Sequence, residues 1–600
     1  MAGMIAAAAR HGERGWGVPL RLQCVPMRLS AVGVLGLVAL AGVAVAALVA
    51  VPRVSPTITL SIVGTTDLHG NVFGGDGRGG LELLGGYLDN LHAARAADGG
   101  AVVLIDAGDT YQAGIESDLS EGAIVVDAYN ALGYTAAVIG NHEFDFGPVD
   151  DAGAHQRLDT DPRGALQARA VQAKFPYLAA NLIDEVTGEP VHWPNVRPSA
   201  LLDIAGVKVG IVGIMTIDAL RATLATNVHG LRVAPLAPTV AAEAAKLRAA
   251  GATVVIVGAH AGGACAEFTN PTDLSSCDDE AEIFRLVRGL PRGLVDVIAA
   301  GHTHQGLAHE VEGVAIIQGY SHGRAFGRVD VTIDRGTGRV MQHRLFPPRD
   351  VCARQDPATS SCEGANLPLA RYEDRSVTPS SVVTAAMAPA LARVRAMQAQ
   401  PLGVVLDSPI SRTGDLESAL GNLFADALRE QTGADIAFNN NLRGGLRADL
   451  PAGPLTFGSF YDVFPFDNRL LTVRVTGAAL KQSLIDEVRR GRRGALGLSG
   501  VHARVSCKDG ELDVDLRRAS GQPIRPDEEV TVATLDMLAQ RGVLAAAVSG
   551  APVDVPVDAP VMRELVEDWL RRHSHLGAAE FLAAARWEYA EPNPASCGVQ

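Results

Sequence analysis

The chain has 600 residues, of which 47% are hydrophobic and 20% are charged, and its formal net charge is -15 at pH 7. This composition is that of a folded protein, and the length exceeds what one hydrophobic core usually organises, so we expect two or more domains. The acidic charge argues against a nucleic-acid polymer as partner, because phosphate backbones are bound by clustered Lys and Arg.

An uncharged apolar segment near the N-terminus predicts export of the remainder of the chain. Residues 29–52 read LSAVGVLGLVALAGVAVAALVAVP and are preceded by four arginines between Arg10 and Arg28. The segment is long enough to span a bilayer, and arginines on this side hold the N-terminus in the cytoplasm. Residues 1–28 are thus predicted to be a basic cytoplasmic tail and residues 29–52 a membrane anchor. A cleaved signal peptide is the alternative. In both cases the remainder is periplasmic or at the cell surface.

Short apolar strands alternate with Ala- and Leu-rich helical segments over residues 57–346. This pattern predicts sheets buried on both faces, in an α/β or a four-layer α/β/β/α architecture. Polar residues come directly after these strands, and strand ends are where open α/β sheets gather their ligands. The residues are Asp67, His69, Asp109, Asn141, His142, Asp145, His260, His302 and His304.

Any one of these residues alone is more often a turn, cap or core residue than a metal ligand. Their joint order is more informative, because two carboxylates, one carboxamide and several imidazoles supply ligands for two divalent ions. Asp109 is suited to bridge the two ions, since a carboxylate has two oxygens. The mixed ligand set suits Zn, Mn, Fe or Co better than Ca.

Residues 347–401 are predicted to be a connection and a linker helix that begins after Thr378 and Pro379. A second folded region is predicted over residues 402–590. The six cysteines after the apolar segment suit an exported protein, and their spacing predicts disulfides. The predicted pairs are Cys265 with Cys277, Cys352 with Cys362, and Cys507 with Cys597.

The motifs TTDLHGN, IDAGDTYQ, GNHEFDFG, GAHAGG and GHTHQ resemble those of the calcineurin-like dimetal phosphoesterase superfamily. The later motifs LGNLFADAL, GGLRADL and GPLTFGSFYDVFPFDNRLLTVRVTGAALKQSL are similar to the C-terminal domain of the 5'-nucleotidase and 2',3'-cyclic-nucleotide phosphodiesterase family. Together they cover nearly all of the chain after the apolar segment. The resemblance implies a four-layer α/β/β/α metallophosphoesterase domain and a C-terminal α+β substrate-binding domain, joined by the linker helix.

The resemblance also implies roles for the strand-end residues. One metal would be held by Asp67, His69, Asp109 and His304, and the other by Asp109, Asn141, His260 and His302. Metal-held hydroxide would attack the phosphorus, while His142, oriented by Asp145, would stabilise the developing charge or protonate the leaving group. We interpret Glu143 as a structural loop carboxylate.

The C-terminal motifs imply a substrate site but depart from the family pattern. Arg447 matches one phosphate-binding arginine, Arg412 is the nearest counterpart of another, and Arg443 stands where a small residue is expected. Phe466 matches the first of two nucleobase-stacking rings, whereas Met537 stands in place of the second. A thioether packs against a base but stacks less well than a ring.

The resulting expectation is an exported dimetal phosphoesterase that hydrolyses nucleotide phosphate esters. The alternatives are a phosphodiesterase, a sugar-phosphate or pyrophosphate hydrolase on the same scaffold, or a surface binding protein without turnover. The intact metal ligands and the His142/Asp145 pair argue against the last alternative.

Overall fold

The computed structural model describes residues 55–151, 156–157, 160–441, 445–490, 496–540, 543–544, 553, 555–556, 559–590 and 597. The basic tail, the apolar segment 29–52 and Arg443 lie outside these residues. Among the residues that are described, no helix is long and apolar enough to cross a membrane. The chain from Thr57 onwards forms one compact unit.

Two large mixed sheets form the centre of the first region. Strand order in the seven-stranded sheet is Val196–Arg197, Tyr177–Leu178, Ala136–Val138, Ala101–Asp106, Thr57–Thr65, Ala325–Asp334, Val340–Asp350. Strand order in the six-stranded sheet is Ser199–Ile204, Val207–Met215, Val254–His260, Val297–Ala300, Val314–Gly319, Gly306–Val311. Neighbouring strands are parallel through the middle of each sheet and antiparallel at an edge.

The two sheets pack face to face because their strands are apolar on both faces. In strand Thr57–Thr65, Ile58, Leu60 and Ile62 join the core between the sheets, while Val63 joins the core under the outer helices. This is the period-two alternation of a strand that is buried on both sides. The predicted α/β/β/α architecture is confirmed.

Helices cover the outer faces of the sheets: Leu81–Asp98, Ala123–Leu132, Gly164–Gln172, Leu236–Ala249 and Glu282–Arg288. The short helices Ile115–Asp118 and Ala225–Val228, and 3₁₀ turns at His142–Phe144 and Ala219–Arg221, lie between the strands in the sequence. Short ribbons pair Phe73–Gly75 with Arg78–Gly80, Asp150–Asp151 with Gln156–Arg157, Leu182–Asp184 with Leu231–Val233, and Arg371–Tyr372 with Arg375–Ser376.

The predicted linker helix is present as Ser381–Gln398. Its first half buries Val383 and Met387 in the core of the first region, and its second half buries Val394 and Met397 in the core of the second. The helix therefore anchors both regions by one apolar stripe.

The second region is α+β, as predicted. Its strands are Pro401–Leu406, Ile436–Asn440, Gly453–Thr456, Leu470–Thr476, Leu496–Ser499, Val501–Lys508, Glu511–Arg518, Glu529–Leu535, His575–Leu576 and Trp587–Tyr589. Its helices are Ala419–Thr432, Phe457–Tyr461, Gly477–Arg489, Asp536–Gln540, Met562–Arg571 and the 3₁₀ turn Ala578–Leu582.

All three predicted disulfides are confirmed: Cys265–Cys277, Cys352–Cys362 and Cys507–Cys597. The first two close short loops, and the third joins positions 90 residues apart.

Candidate metal centre and substrate cavity

The predicted ligands gather at the carboxyl ends of the parallel strands of both sheets. Asp67, Asp109 and Asn141 come after strands that end at Thr65, Asp106 and Val138 in the first sheet. His260 ends its own strand, and His302 and His304 come after Ala300 in the second sheet. The packing of the two sheets brings these strand ends and loops together.

One group of ligand atoms comes from Asp67, His69 and His304, and these atoms lie within 4.8 Å of one another. The Nε2 atoms of His69 and His304 are 3.0 Å apart. The distance from His304 Nε2 to Asp67 Oδ1 is 3.4 Å. Two imidazoles and a carboxylate therefore converge on one point.

A second group comes from Asp109, His260 and His302, again within 4.8 Å. His260 Nε2 is 3.2 Å from Asp109 Oδ2, 3.0 Å from Asn141 Oδ1 and 3.1 Å from His302 Nδ1. The same Asp109 oxygen is 4.0 Å from His69 Nε2 in the first group. Asp109 thus lies between the two groups, as a bridging ligand would.

The donor atoms of both groups fit cations. The Nδ1 atoms of His69 and His260 face the carbonyls of Gln112 and Ala107 at 3.2 and 2.9 Å, so Nε2 is the ring nitrogen that each would offer to a metal. Burial lowers the pKa of His69 to about 4 despite the opposing charge of Asp109, which keeps its imidazole neutral. Neutral imidazole is the form that binds metals.

Five of the seven predicted ligands adopt a left-handed backbone that is unfavourable for residues with a side chain. Their φ angles are 50° at Asp67, 49° at His69, 57° at Asp109, 73° at His302 and 58° at His304. Each costs about 1–3 kcal/mol, and such strain clusters at functional sites. Asp67 and His69 lie beyond the strand end at Thr65, in the turn, so the alternation of side chains along an extended strand does not apply to them.

Glycines allow close backbone approach at the centre of the site. Gly108 has a φ of 95°, and a Cβ there would lie 2.8 Å from the Gly140 nitrogen. Gly140 lacks a left-handed φ, but its own Cβ would lie 2.6 Å from the Asp109 nitrogen. Gly147 turns the chain with a φ of 76°. The loops that carry Asp109 and Asn141 can therefore touch only with glycine at 108 and 140.

Glu143 ties these two loops together. Its buried carboxylate accepts hydrogen bonds from the backbone nitrogens of Asp109, Thr110 and Gly140 at 3.0, 2.6 and 2.6 Å. Burial, and then the charge of Asp109, raise the pKa of Glu143 to about 7. The interpretation of Glu143 as a structural carboxylate is confirmed by these contacts.

His142 lies beside both metal groups and contacts Asp145. Its Nδ1 is 2.5 Å from Asp145 Oδ2, and its backbone nitrogen donates to Asp109 Oδ1 at 2.9 Å. Burial lowers the pKa of His142, but the adjacent Asp145 carboxylate outweighs it and raises that pKa to about 10. Since Nδ1 faces Asp145, Nε2 is the nitrogen left to act on a substrate.

A cavity of about 500 Å³ adjoins this centre. His69, His142 and His304 contribute to one wall. The predicted substrate residues Arg447, Phe466 and Met537 line it from the second region, with Arg447 Cζ 4.8 Å from the centre of the Phe466 ring. Arg412 is not brought to this cavity: it is exposed, and its guanidinium donates to the Leu446 carbonyl at 3.2 Å.

Two further cavity residues were not identified from the sequence. The His322 ring centre is 5.5 Å from that of His69 and 5.6 Å from that of His304, and its φ is 59°. Thr223 donates from Oγ1 to Asp145 Oδ1 at 2.8 Å. The only sequence signal for His322 is its position between Ser and Gly after an apolar strand. Thr223 belongs to none of the motifs found in the sequence.

Together, the four-layer fold and the paired ligand groups at its strand ends define a calcineurin-like dimetal phosphoesterase scaffold. Residues 60–306 match the family model of the calcineurin-like phosphoesterases, and residues 399–549 match that of the 5'-nucleotidase C-terminal domain. The chain therefore contains both of these domains, as its resemblance to the 5'-nucleotidase family implies.

Individual relatives agree with this family. The chain is 27% identical to the cell wall protein Lmo0130 of Listeria monocytogenes over 80% of its own length, but spans only 63% of that protein. It is 25% identical to a 5'-nucleotidase of Vibrio cholerae, over 70% of this chain and 74% of the relative. A 5'-nucleotidase precursor from Thermus thermophilus has the same fold, with a TM-score of 0.54 and 22% identity over 89% of this chain and 100% of that one.

Proposed function

We propose that the protein is an exported, metal-dependent phosphoester hydrolase that acts on nucleotides and other small phosphate esters. The observation that carries this proposal is the position of Asp109 between two groups of ligand atoms, beside His142 and an open cavity. A binding protein would have no need of a strained ligand set next to a His/Asp pair.

The proposed ligands divide between two divalent ions. One ion would be held by Asp67, His69, Asp109 and His304, and the other by Asp109, Asn141, His260 and His302. When bound, such a pair lowers the pKa of a water and clamps the oxygens of an in-line displacement at phosphorus. The imidazole-rich ligand set favours Zn, Mn, Fe or Co.

The chain's own residues then complete the hydrolysis. Asp145 orients the His142 ring, so that Nε2–H faces the cavity. A water oxygen forms a new bond to phosphorus as the ester P–O bond breaks, and the leaving oxygen takes its proton from His142 Nε2. The products are an alcohol and phosphate, and the proton released by the water balances the one that His142 gives.

The cavity supports a nucleotide as substrate. Arg447 is placed to pair with phosphate oxygens, and Phe466 offers a ring face for a base. Met537 contributes to the same cavity, with a thioether instead of a second ring. The name of the Vibrio cholerae relative agrees with nucleotide substrates. We therefore propose a permissive enzyme that accepts nucleotides without strongly requiring the base.

Three disulfides support export, because such bonds persist in oxidising compartments. The relative from Listeria monocytogenes is a cell wall protein. The sequence of residues 29–52 supports an N-terminal anchor or signal segment as the means of export.

Two substitutions test the assigned roles. Asp109→Ala should abolish hydrolysis and most metal binding, because the shared carboxylate serves both ions. His142→Ala should keep the metal content and lower kcat roughly a hundredfold or more. The measurements are metal content by mass spectrometry and hydrolysis of AMP, with the exposed Asp203→Ala as a control. Equal metal loss in Asp109→Ala and His142→Ala would contradict the roles.

A further inference from the structure

Asp145 is held at both of its oxygens. Oδ2 faces His142 Nδ1 at 2.5 Å, and Oδ1 accepts a hydrogen bond from Thr223 Oγ1 at 2.8 Å. A carboxylate bonded through one oxygen can rotate about its χ2 torsion, which is a broad and soft torsion. The Thr223 hydroxyl opposes that rotation and fixes the plane of the group that orients His142.

Thr223 belongs to a loop that packs over the segment carrying His142. It lies between the 3₁₀ turn Ala219–Arg221 and the short helix Ala225–Val228. Asn227, which is buried, attaches this loop independently, because its Nδ2 donates to the Phe144 carbonyl at 2.7 Å. The hydroxyl of Thr223 is thus not the sole attachment of the loop to this segment.

We infer that Thr223 is a positioning residue, which acts through Asp145 to hold the His142 ring in the orientation that protonates the leaving oxygen. This inference rests on the proposed hydrolysis, in which His142 Nε2 donates a proton as the P–O bond breaks. Thr223 also lines the cavity, but its hydroxyl is engaged with Asp145. Its contribution should therefore appear in the proton-transfer step and not in substrate binding.

The choice of substrate separates proton transfer from binding. AMP leaves a basic alkoxide that needs a proton in the transition state, whereas p-nitrophenyl phosphate leaves a stable phenolate that does not. Thr223→Val keeps the shape of the side chain and removes the hydroxyl. We expect it to lower kcat for AMP roughly tenfold or more, as part of the general-acid contribution. KM for AMP and kcat for p-nitrophenyl phosphate should change less than about twofold.

Three further variants accompany this test: two are controls, and one repeats it. Thr223→Ser retains the hydroxyl and should restore at least half of the wild-type kcat for AMP. Thr239→Val removes a similar hydroxyl, which donates to the Pro235 carbonyl at 2.8 Å in a helix that does not line the cavity, and should behave as wild type. Thr223→Ala repeats the test with a smaller side chain. Thermal unfolding and metal content should match wild type in all of them.

A proton NMR signal gives a readout that does not depend on turnover. In protein labelled with ¹⁵N-histidine, the His142 Nδ1 proton that faces Asp145 should resonate at low field, and Asp145→Asn should remove this resonance. Thr223→Val should shift it upfield or broaden it, while Thr223→Ser should leave it in place.

The possible outcomes separate this inference from the proposed function. Equal loss of kcat on AMP and p-nitrophenyl phosphate, failure of Thr223→Ser to restore activity, or an unchanged low-field signal in Thr223→Val would overturn the positioning role alone. A wild-type protein loaded with Zn or Mn that hydrolyses neither ester would overturn the proposed function and this inference with it.

Discussion

Asp106 shows how a single buried carboxyl supports the loops that carry the candidate metal ligands. It ends strand Ala101–Asp106, is fully buried, and accepts four hydrogen bonds. Oδ1 accepts from the backbone of Gly108 and from Thr110, while Oδ2 accepts from the hydroxyls of Thr65 and Tyr129. Burial raises the pKa of Asp106 to about 6, although these hydrogen bonds oppose the change.

This pKa predicts a pH-dependent stability. The folded protein binds the Asp106 proton more tightly than the unfolded chain, whose pKa is 3.8. The stabilisation that the Asp106 proton gives the folded state is therefore fully present below pH 3.8. It is lost as the pH rises through about 6. Asp106→Asn removes the titration, and its amide suits the site because the two hydroxyls at Oδ2 can accept hydrogen bonds.

We expect the free energy of unfolding of Asp106→Asn to rise by about 2 kcal/mol, relative to that of wild type, between about pH 4 and about pH 8. The measurement is urea unfolding of both proteins, in the presence of EDTA, across that pH range. Asp203→Asn, at an exposed position, is the matched control and should run parallel to wild type. A constant difference between Asp106→Asn and wild type at all pH values would show that Asp106 does not titrate there.

At the scale of elements, the predicted connection is folded against the first region. Val351, Cys352, Ala370 and Val377 are buried in its core, and the backbone of Cys352 makes two hydrogen bonds with the hydroxyl of Tyr87. Residues 357–359 and 363–366 are exposed, and the disulfide of Cys352 with Cys362 closes this loop. The connection is thus held by packing and by a covalent bond.

Removing that bond should expose the loop to proteases. We expect the double variant Cys352→Ser, Cys362→Ser to be cut within residues 353–369 about tenfold faster than wild type, because the disulfide restricts the opened loop. Limited proteolysis with subtilisin, combined with mass spectrometry of the fragments, measures this. The variant Cys265→Ser, Cys277→Ser is the control and should keep residues 353–369 protected. Cleavage of wild type at the same rate would show that packing alone protects the loop.

At the scale of the whole molecule, the cavity depends on both regions. Leu119 of the first region is buried in the core of the second, and Ile115 packs against that core. The linker helix Ser381–Gln398 contributes side chains to the cores of both regions. These contacts place Arg447 and Phe466 in the same cavity as His69 and His142. Under the proposed function, the second region therefore selects the substrate and the first region performs the chemistry.

This division predicts that base recognition can be changed without changing the chemistry. Phe466→Ala should lower the preference for AMP over glycerol 2-phosphate, and Met537→Phe should raise it, each by about tenfold, since stacking contributes roughly 1–3 kcal/mol per base. The ratio of kcat/KM for the two esters measures the preference. Met341→Phe, at an exposed position, should leave the ratio unchanged. A preference that Phe466→Ala does not alter would refute this view of the cavity.

The sequence by itself determined the α/β class, the linker helix, the disulfide pairs and the list of strand-end residues. Each of these arises from local patterns: apolar periodicity, cysteine spacing and polar residues directly after buried strands. The four-layer arrangement was implied by the family resemblance. The pairing of His142 with Asp145, three residues apart, was likewise implied by the resemblance, and the structure brings the two side chains into contact.

Only the tertiary structure decided which distant groups meet. The left-handed backbone at Asp67 and His69 arises where the strand end packs against other loops, and the pattern of the strand does not encode it. Thr223 and His322 reach the site from loops far along the chain, and Arg412 stays outside the cavity, because packing between strands and between the two regions sets these positions. The residue types indicate which chemistry is available, whereas long-range packing decides which groups come close enough to act together.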